Sequence, residues 1–331
     1  MKYIISVIGT VFFMIVLIPL VIVLFFSGTE DQGKLVIEPQ DAGFQIKLVN
    51  VWMEDLNQVK EVELEEYIKS VIASEMPASF EIEALKAQAV AARTYAVARV
   101  LNFEQKEGAT GHEMAPLCNT IHCQVYRGQD EIRALKSDEW MNQYWEKLSQ
   151  AVEETSGQIL FYDGSLAGQA LFHSSSGGKT ENSEDVFVSA VPYLRSVESP
   201  YEEEATHRGD VTEITVDSFA NTINQKVSGA NVTKEEVKEM KITARSSGDR
   251  VAALSIGETT VTGREIREFF SLPSAQFQFT IENDNVVIVS TGYGHGVGMS
   301  QYGANGMAKK DETYDKILIH YYTGVEIRKM Y

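Results

Sequence analysis

The N-terminal apolar segment is the feature that most restricts how this chain can fold. Residues Ile4 to Phe26 are apolar apart from small residues and one proline. A helix needs about 20 apolar residues to cross a membrane, whereas the apolar part of a cleaved signal peptide usually spans about 7–15 residues. The length favours an uncleaved signal anchor, with a cleaved signal peptide as the alternative. Lys2 precedes the segment and Glu30 and Asp31 follow it, which places the N-terminus in the cytoplasm.

The predicted organisation follows from that segment. We expect a cytoplasmic N-terminus at residues 1–3, a transmembrane anchor at 4–26, a polar linker at 27–43 and an extracytoplasmic region at 44–331 of a single-pass cell-membrane protein. The chain carries 29 basic and 47 acidic residues, a formal net charge of −18, which argues against nucleic acid as a partner. Predicted strands and helices follow one another without βαβ regularity, which indicates an α+β fold of one large domain or two lobes.

A single acid continues the apolar face of a predicted helix at residues 64–75. That face follows the spacing of a buried helix surface and consists of Leu64, Tyr67, Ile68, Val71 and Ile72. The next position is Glu75, and Pro77 predicts that the helix ends there. Partial burial and the negative end of the helix dipole both raise the pKa of this carboxyl group. The general acid of a glycosidase requires such a group; the alternative is a solvated glutamate at a helix end.

A second predicted helix, at residues 84–101, places one cation among apolar residues. Arg93 lies on the same face as Val90, Val97 and Leu101. Its guanidinium group could bind Glu75, a substrate oxygen or a backbone carbonyl. A structural salt bridge is the competing interpretation.

Two glycine-rich segments offer polar groups to a ligand. The segment GYGHGVG follows a predicted strand, but its spacing is not that of a dinucleotide-binding loop, and the chain ends too soon for a βαβ unit. Its glycines allow close backbone approach, and His295, Gln301 and Tyr302 then supply polar and aromatic edges. His295 as a structural hydrogen-bonding residue is an equal alternative. The loop HSSSGGKT, which contains Ser175, supplies hydroxyl and N–H groups, but the chain has no G-x-S-x-G nucleophile motif.

Four segments together resemble the SpoIID family. They are SEMPASFEIEALKAQAVAARTYA, LFHSSSGGKTENSEDVF, VPYLRSV and GYGHGVGMSQYGANGMA, in the order of the family. The resemblance implies a two-lobed catalytic region with a substrate cleft at residues 44–331. It implies a membrane-anchored lytic transglycosylase of endospore-forming bacteria. Such an enzyme cleaves peptide-stripped peptidoglycan between N-acetylmuramic acid and N-acetylglucosamine without water, and leaves 1,6-anhydro ends during engulfment.

The same resemblance implies roles and partners. Glu75 matches the catalytic glutamate of the family, Arg93 its important arginine and Tyr193 a cleft tyrosine; Arg195 stands where family members often carry lysine. The implied partners are peptidoglycan glycan strands, the amidase stage II sporulation protein P and the membrane scaffold stage II sporulation protein M, at the septal and engulfing mother-cell membrane. One acid suffices for this chemistry without a cofactor, because Glu75 first protonates the glycosidic oxygen and then accepts the proton of the sugar's own C6 hydroxyl.

The segment HEMAPLCNTIHC contains a candidate metal site. Two histidines and two cysteines, His112, Cys118, His122 and Cys123, form a tetrahedral zinc set, and some relatives are thought to bind zinc through a similar insert. A Cys118–Cys123 disulfide is the alternative outside the membrane. Two thiolates indicate a closed, structural site, which argues against the further alternative of a zinc-dependent hydrolase. The remaining alternative function is a non-catalytic glycan-binding modifier of a cell-wall amidase.

Overall fold

The computed structural model describes residues 43, 45–105 and 114–331. The predicted anchor, nearly all of the predicted linker and the candidate ligand His112 lie outside these residues. Within the described part of the chain, no helix has both the length and the apolar character needed to span a membrane. The described residues belong to one compact unit.

The N-terminal elements lead directly to the candidate acid. Strands β1 (Leu48–Met53) and β2 (Gln58–Glu63) form an antiparallel hairpin, and β3 (Leu117–Cys118) pairs in parallel with β1. Helix α1 (Leu64–Glu75) has the predicted bounds, and α2 (Ile82–Gln105) extends beyond the predicted second helix at both ends. The residue that follows α1, Met76, is extended at φ −128°, as expected for a residue that precedes proline.

The main hydrophobic core surrounds α2. Helix α1 packs on it, together with α4 (Asp138–Glu154), α9 (Gln301–Ala308), α10 (Tyr314–Tyr321) and strand β4 (Gln158–Tyr162). Helix α3 (Gln129–Lys136) precedes α4 and was not predicted. Small buried alanines on α2, such as Ala84, Ala87 and Ala91, allow these elements to approach closely.

The segment QILFYDGSLAGQALFH, residues 158–173, has two apolar runs around Asp163-Gly164 and so predicts a hairpin, which is only partly present. Strand β4 does turn back through β5 (Ser165–Leu166) and also pairs with β14 (Val325–Lys329). The second apolar run leaves this sheet, however, and β6 (Phe172–His173) pairs in parallel with β13 (Met299–Ser300). The sequence pattern missed this pairing because it joins two segments that are distant in the chain.

Residues between 216 and 288 in the chain form a second hydrophobic core. It packs one sheet of β7 (Arg208–Thr215), β12 (Asn285–Thr291) and β11 (Phe277–Glu282) and another of β8 (Lys241–Arg245), β9 (Val251–Ile256) and β10 (Thr259–Val261). The remaining helices are α5 (Ser183–Val186), α6 (Val216–Lys226), α7 (Lys234–Lys238) and α8 (Gly263–Phe269). Mixed helices and antiparallel sheets confirm the α+β class, whereas the two-lobed cleft stays a prediction.

The two glycine-rich segments bind each other through backbone bridges. Ser175 pairs with Tyr293, and Glu181 pairs with Val297. The alternating glycines of GYGHGVG all have positive φ values, and a Cβ atom at Gly298 would lie 2.0 Å from a backbone oxygen. These glycines therefore serve backbone conformation and close packing.

Candidate active site

Glu75 lies at the edge of a cavity of about 440 Å³. It is the last residue of α1 and is partly buried. Its Oε1 atom accepts a hydrogen bond of 2.6 Å from the backbone N–H of Val125, which is 50 residues away in the chain. Glu75 thus continues the apolar face of α1, as the spacing predicts, and at this position it lines a cavity.

The surroundings of Glu75 raise the pKa of its carboxyl group. Burial is the main cause, and the Val125 hydrogen bond and the charge of Arg127 offset it in part. The last turn of α1 contains no basic residue to stabilise the carboxylate at the negative end of the helix. The carboxyl group can therefore keep its proton at a higher pH than an exposed glutamate.

Two aromatic rings and one cation complete the cavity. Trp140 and Tyr144 lie one turn apart on α4 with ring centroids 5.6 Å apart, and Lys136 at the end of α3 places its Nζ 6.0 Å from the Trp140 ring. Partly exposed aromatic rings offer apolar faces on which sugar rings can stack. Sequence reasoning missed these residues, although two aromatic residues at i, i+4 on one helix were a usable local signal.

The His/Cys segment lies next to the candidate acid. The side-chain ligand atoms of Cys118, His122 and Cys123 all lie within 4.8 Å of one another, and both cysteines carry thiols in the structure. A side-chain hydrogen bond between the two cysteines lowers the pKa of Cys118 and raises the pKa of Cys123. These three residues fit the ligand set of a structural zinc ion. Val125, which donates to Glu75, follows Cys123 by two positions.

Arg93 does not reach the Glu75 cavity in this structure. Its side chain is fully buried and forms a salt bridge of 2.6 Å with Glu65 at the other end of α1. The Nη1 atom also donates to the carbonyl oxygen of Gln158 at 3.1 Å. Of the interpretations that the sequence left open, these contacts match the structural salt bridge and the backbone carbonyl.

The other predicted substrate residues lie apart from Glu75, and none of them lines its cavity in the described part of the chain. The Tyr193 hydroxyl accepts a hydrogen bond from the Gln169 N–H, and Arg195 forms a salt bridge with Glu184. Ser175 is buried, and its backbone rather than its hydroxyl joins the glycine-rich loop.

The residues of the last motif are also separated. Gln301 is buried and donates to Gln88, and Tyr302 packs edge-on against Phe80, which closely follows the loop at Glu75. His295 lines a different cavity, and its Nδ1 accepts from the Val297 N–H. Burial and neighbouring arginines lower the pKa of His295 to about 4, so this imidazole is neutral at pH 7.

A buried carboxylate that sequence reasoning missed connects the Ser/Gly loop to Ser199 and Ser300. Glu202 accepts hydrogen bonds from the Ser176 N–H and hydroxyl, the Gly177 N–H and the hydroxyls of Ser199 and Ser300. Because five donors converge on this side chain, the Ser/Gly loop has a structural role in the observed conformation.

Comparison with known proteins now identifies the family. Residues 53–162 match the SpoIID family, described as Stage II sporulation protein, and residues 191–298 match DUF8618, a domain of unknown function. Stage II sporulation protein D of Bacillus subtilis (strain 168) is 36% identical over an alignment of length 331. That alignment covers 95% of this chain and 92% of that protein. The protein of the same name from Bacillus amyloliquefaciens is 36% identical over 282 residues, 84% of this chain and 78% of its own.

A more distant relative carries a different name. The Amidase enhancer of Bacillus subtilis (strain 168) is 30% identical over an alignment of length 308. That alignment covers 78% of this chain but 40% of that protein. The resemblance inferred from the four sequence motifs is confirmed. The chain belongs to the SpoIID family of sporulation proteins.

Proposed function

We propose that this protein is a lytic transglycosylase that cleaves the bond between N-acetylmuramic acid and N-acetylglucosamine in peptide-stripped peptidoglycan. The observation that supports it most is Glu75, a partly buried carboxyl group with a raised pKa at a cavity with two aromatic walls. Cleavage would leave 1,6-anhydro ends during engulfment in sporulation. A second carboxylate is not needed, because the sugar supplies its own nucleophile.

The proposed reaction uses both protonation states of one residue. Neutral Glu75 donates its proton to the glycosidic oxygen as the bond to C1 breaks, and the C6 hydroxyl oxygen then attacks C1. The Glu75 carboxylate accepts the C6 hydroxyl proton, which restores the acid. Because the Val125 N–H binds Oε1, we assign the transferred proton to Oε2. The same N–H stabilises the carboxylate while the sugar is being attacked.

Glu75→Gln tests this proposal. The amide keeps an oxygen for the Val125 N–H but has no acidic proton, so we expect anhydro ends to form at least about 10²-fold more slowly. The matched control is Glu66→Gln, an exposed glutamate of the same helix that pairs with Lys69. Mass spectrometry of digested peptide-free peptidoglycan counts anhydro and hydrated ends. Undiminished anhydro ends from folded Glu75→Gln would overturn the role of Glu75, and hydrated ends from the wild type would indicate a hydrolase.

For the His/Cys segment we propose a structural zinc ion bound by Cys118, His122, Cys123 and His112. When bound, zinc would supply a fixed cross-link within the segment and no chemistry of the reaction. The ligands would hold the backbone up to Val125 beside Glu75. Metal analysis of the purified protein, with mass spectrometry of the two cysteines, distinguishes this from the Cys118–Cys123 disulfide.

The cellular setting is part of the proposal. We propose that residues 4–26 anchor the protein with its N-terminus in the cytoplasm, and that it acts beside the amidase stage II sporulation protein P and the scaffold stage II sporulation protein M. Fractionation and protease accessibility in intact protoplasts test the topology. Release of the untreated protein by high salt, without detergent, would contradict the anchor.

The relative named Amidase enhancer supports a second candidate, a glycan-binding modifier of a cell-wall amidase. The two candidates differ in product. A modifier creates no sugar ends by itself, increases the release of stem peptides by an added amidase, and retains this effect in Glu75→Gln.

A further inference from the structure

A cavity of about 580 Å³ lies away from Glu75. Residues of α5, α8, β9 and the GYGHGVG segment line it. A neighbouring cavity of about 530 Å³ shares Arg264 and Arg267 with it. Much of this surface belongs to residues 191–298, the region that matches a domain of unknown function.

Three guanidinium groups are concentrated at this cavity, in a chain with a net charge of −18. Arg250 is 4% exposed, and Arg264 and Arg267 lie on α8. Burial lowers the pKa of Arg267, and the positive charges of Arg250 and Arg264 contribute to that lowering. Arg250 is paired with Glu181, whereas Arg267 lies near two other positive charges, and a bound anion would offset that repulsion.

Arg264 and Arg267 each donate a hydrogen bond to a backbone carbonyl oxygen, which does not neutralise their positive charges. Arg264 Nη1 donates to the carbonyl oxygen of Val186 at 2.8 Å, and Arg267 Nε donates to that of Leu272 at 3.3 Å. Within the described residues, neither guanidinium group forms a salt bridge. Their remaining N–H groups can bind a planar anion in the paired geometry that arginine favours.

Four carboxylates also line the two cavities, Glu181, Asp185, Glu265 and Glu268, and the first three accept hydrogen bonds from neighbouring protein groups. Glu181 Oε1 accepts from Ser246 and from Arg250. Glu265 closes the capping box of α8 with the N–H and hydroxyl of Thr262. Asp185 Oδ2 accepts a hydrogen bond of 3.2 Å from the side-chain amide of Asn182, the residue that precedes α5. Inside the site, the buried Arg250 Nε and Glu181 Oε2 atoms have no hydrogen-bond partner within the described residues.

The rim of the two cavities carries exposed aromatic rings. Phe187 is 39% exposed and packs against His295, with ring centroids 5.7 Å apart. Tyr293 is 48% exposed and stacks on His207 at 4.5 Å. Such rings offer apolar faces to pyranose rings, whereas a polyol phosphate chain has no comparable face. The surface thus combines groups suited to a saccharide with groups suited to an anion.

We propose that this surface is a saccharide subsite in which Arg264 and Arg267 bind the free lactyl carboxylate of peptide-free muramoyl residues. The inference rests on the proposed glycan substrate and adds a basis for selecting it. A muramoyl residue that still bears its stem peptide has an amide at this position, which is neutral and larger. Arg264 and Arg267 would therefore distinguish stripped strands from strands that an amidase has not yet processed.

Equilibrium binding to the full chain carrying Glu75→Gln measures this without turnover. The probes are a peptide-free muramoyl glycan oligomer, the same oligomer with its lactyl carboxyls converted to methylamides, a chitin oligomer and a polyol phosphate. We expect the carboxylate oligomer to bind about tenfold more tightly than its methylamide, as one charge-assisted contact allows. Arg264→Gln and Arg267→Gln should each reduce that ratio below about threefold. The control, Arg328→Gln, replaces an arginine that pairs with Glu326 on β14.

The outcomes separate this inference from the proposed function. Equal affinity for carboxylate and methylamide, or an unchanged ratio in both folded arginine variants, would overturn the subsite even if the wild type makes anhydro ends. Tighter binding of the polyol phosphate than of the carboxylate glycan would also overturn it. Persistent anhydro ends in Glu75→Gln would overturn the role of Glu75 and leave the binding result intact. Melting temperatures establish that each variant is folded, and Arg264, whose side chain is exposed, provides the variant least expected to disturb folding.

Discussion

Each end of α1 carries a partly buried glutamate. The two carboxyl groups differ in their partners, because one is paired with a buried cation and the other is not. Glu65, in the first turn, receives two nitrogens of the buried Arg93 and the N–H of Gly157. Glu75, at the last position, receives one backbone N–H and no salt bridge within the described residues. The helix dipole favours the charge at the first end and disfavours it at the last.

The comparison explains why one glutamate suits structure and the other suits proton transfer. Around Glu65 the contacts pair its carboxylate with the buried Arg93 and connect α1 to α2 and to the turn before β4. Around Glu75 burial stabilises the neutral form, while a single donor remains ready for the carboxylate. The neighbouring groups thus give the same residue type different surroundings at the two ends of one helix, and only those of Glu75 favour a proton donor.

The largest expected effect on stability comes from Glu65→Gln. This change leaves the guanidinium group of Arg93, which is 0% exposed, without its carboxylate, and loss of one partner of a buried ion pair costs about 3–5 kcal/mol. Urea unfolding measures the free energy. Arg93→Leu added to Glu65→Gln should recover part of the loss, because the unpaired charge is then absent. A loss below about 1 kcal/mol in the single variant would show that the pair contributes little.

Sequence reasoning located the candidate acid on its helix but did not predict its surroundings. The bounds of α1 and the position of Glu75 follow from local spacing and Pro77. The partners of both glutamates come from distant segments, Arg93 at a separation of 28 residues and Val125 at 50. Chain topology brings these groups together, so no local pattern could pair Arg93 with Glu65 rather than with Glu75. The Glu202 cluster was missed for the same reason.

Removal of zinc is expected to destabilise the segment beside Glu75 and to leave the Glu65 end of α1 unaffected. If zinc binds the His/Cys segment, free zinc at 100 times its Kd stabilises the protein by about 2.7 kcal/mol, and chelation removes that amount. The control variant, Cys118→Ser with Cys123→Ser, should not respond to the chelator. Thermal unfolding with and without chelator measures the effect. Lost turnover at an unchanged melting temperature would instead place the metal in the reaction.

The pH dependence of turnover offers a finer test of the Glu75 end. The acid must be protonated, so kcat/KM should fall as the pH rises through the pKa of Glu75, which lies above its ordinary value. The charge of Arg127 lowers that pKa, so Arg127→Gln should move the alkaline limb to higher pH. Arg133→Gln, which removes a surface cation from α3, serves as the control. A limb that moves to lower pH in Arg127→Gln would contradict the assignment.

The smallest expected effect is the stability change caused by Glu75→Gln, the same substitution as at the other end of α1. A glutamate whose pKa is raised in the folded state contributes stability only while it is protonated, and that contribution is lost as the pH rises through the folded pKa. At pH 7 the neutral amide avoids the cost of a partly buried charge and still accepts the Val125 hydrogen bond. We therefore expect Glu75→Gln to unfold with an unchanged free energy, or one higher by less than about 1 kcal/mol.

The sign of this small effect can be checked by changing the pH. Below the ordinary glutamate pKa of about 4.3 the wild-type side chain is also neutral, so any advantage of Glu75→Gln should disappear there. Urea unfolding of both proteins at pH 7 and at pH 4 gives the comparison, provided that both refold reversibly. A loss at pH 7 as large as that of Glu65→Gln would mean that the Glu75 carboxylate is stabilised in its ionised form. The contrast between the two ends of α1, and with it the proposed acid, would then fail.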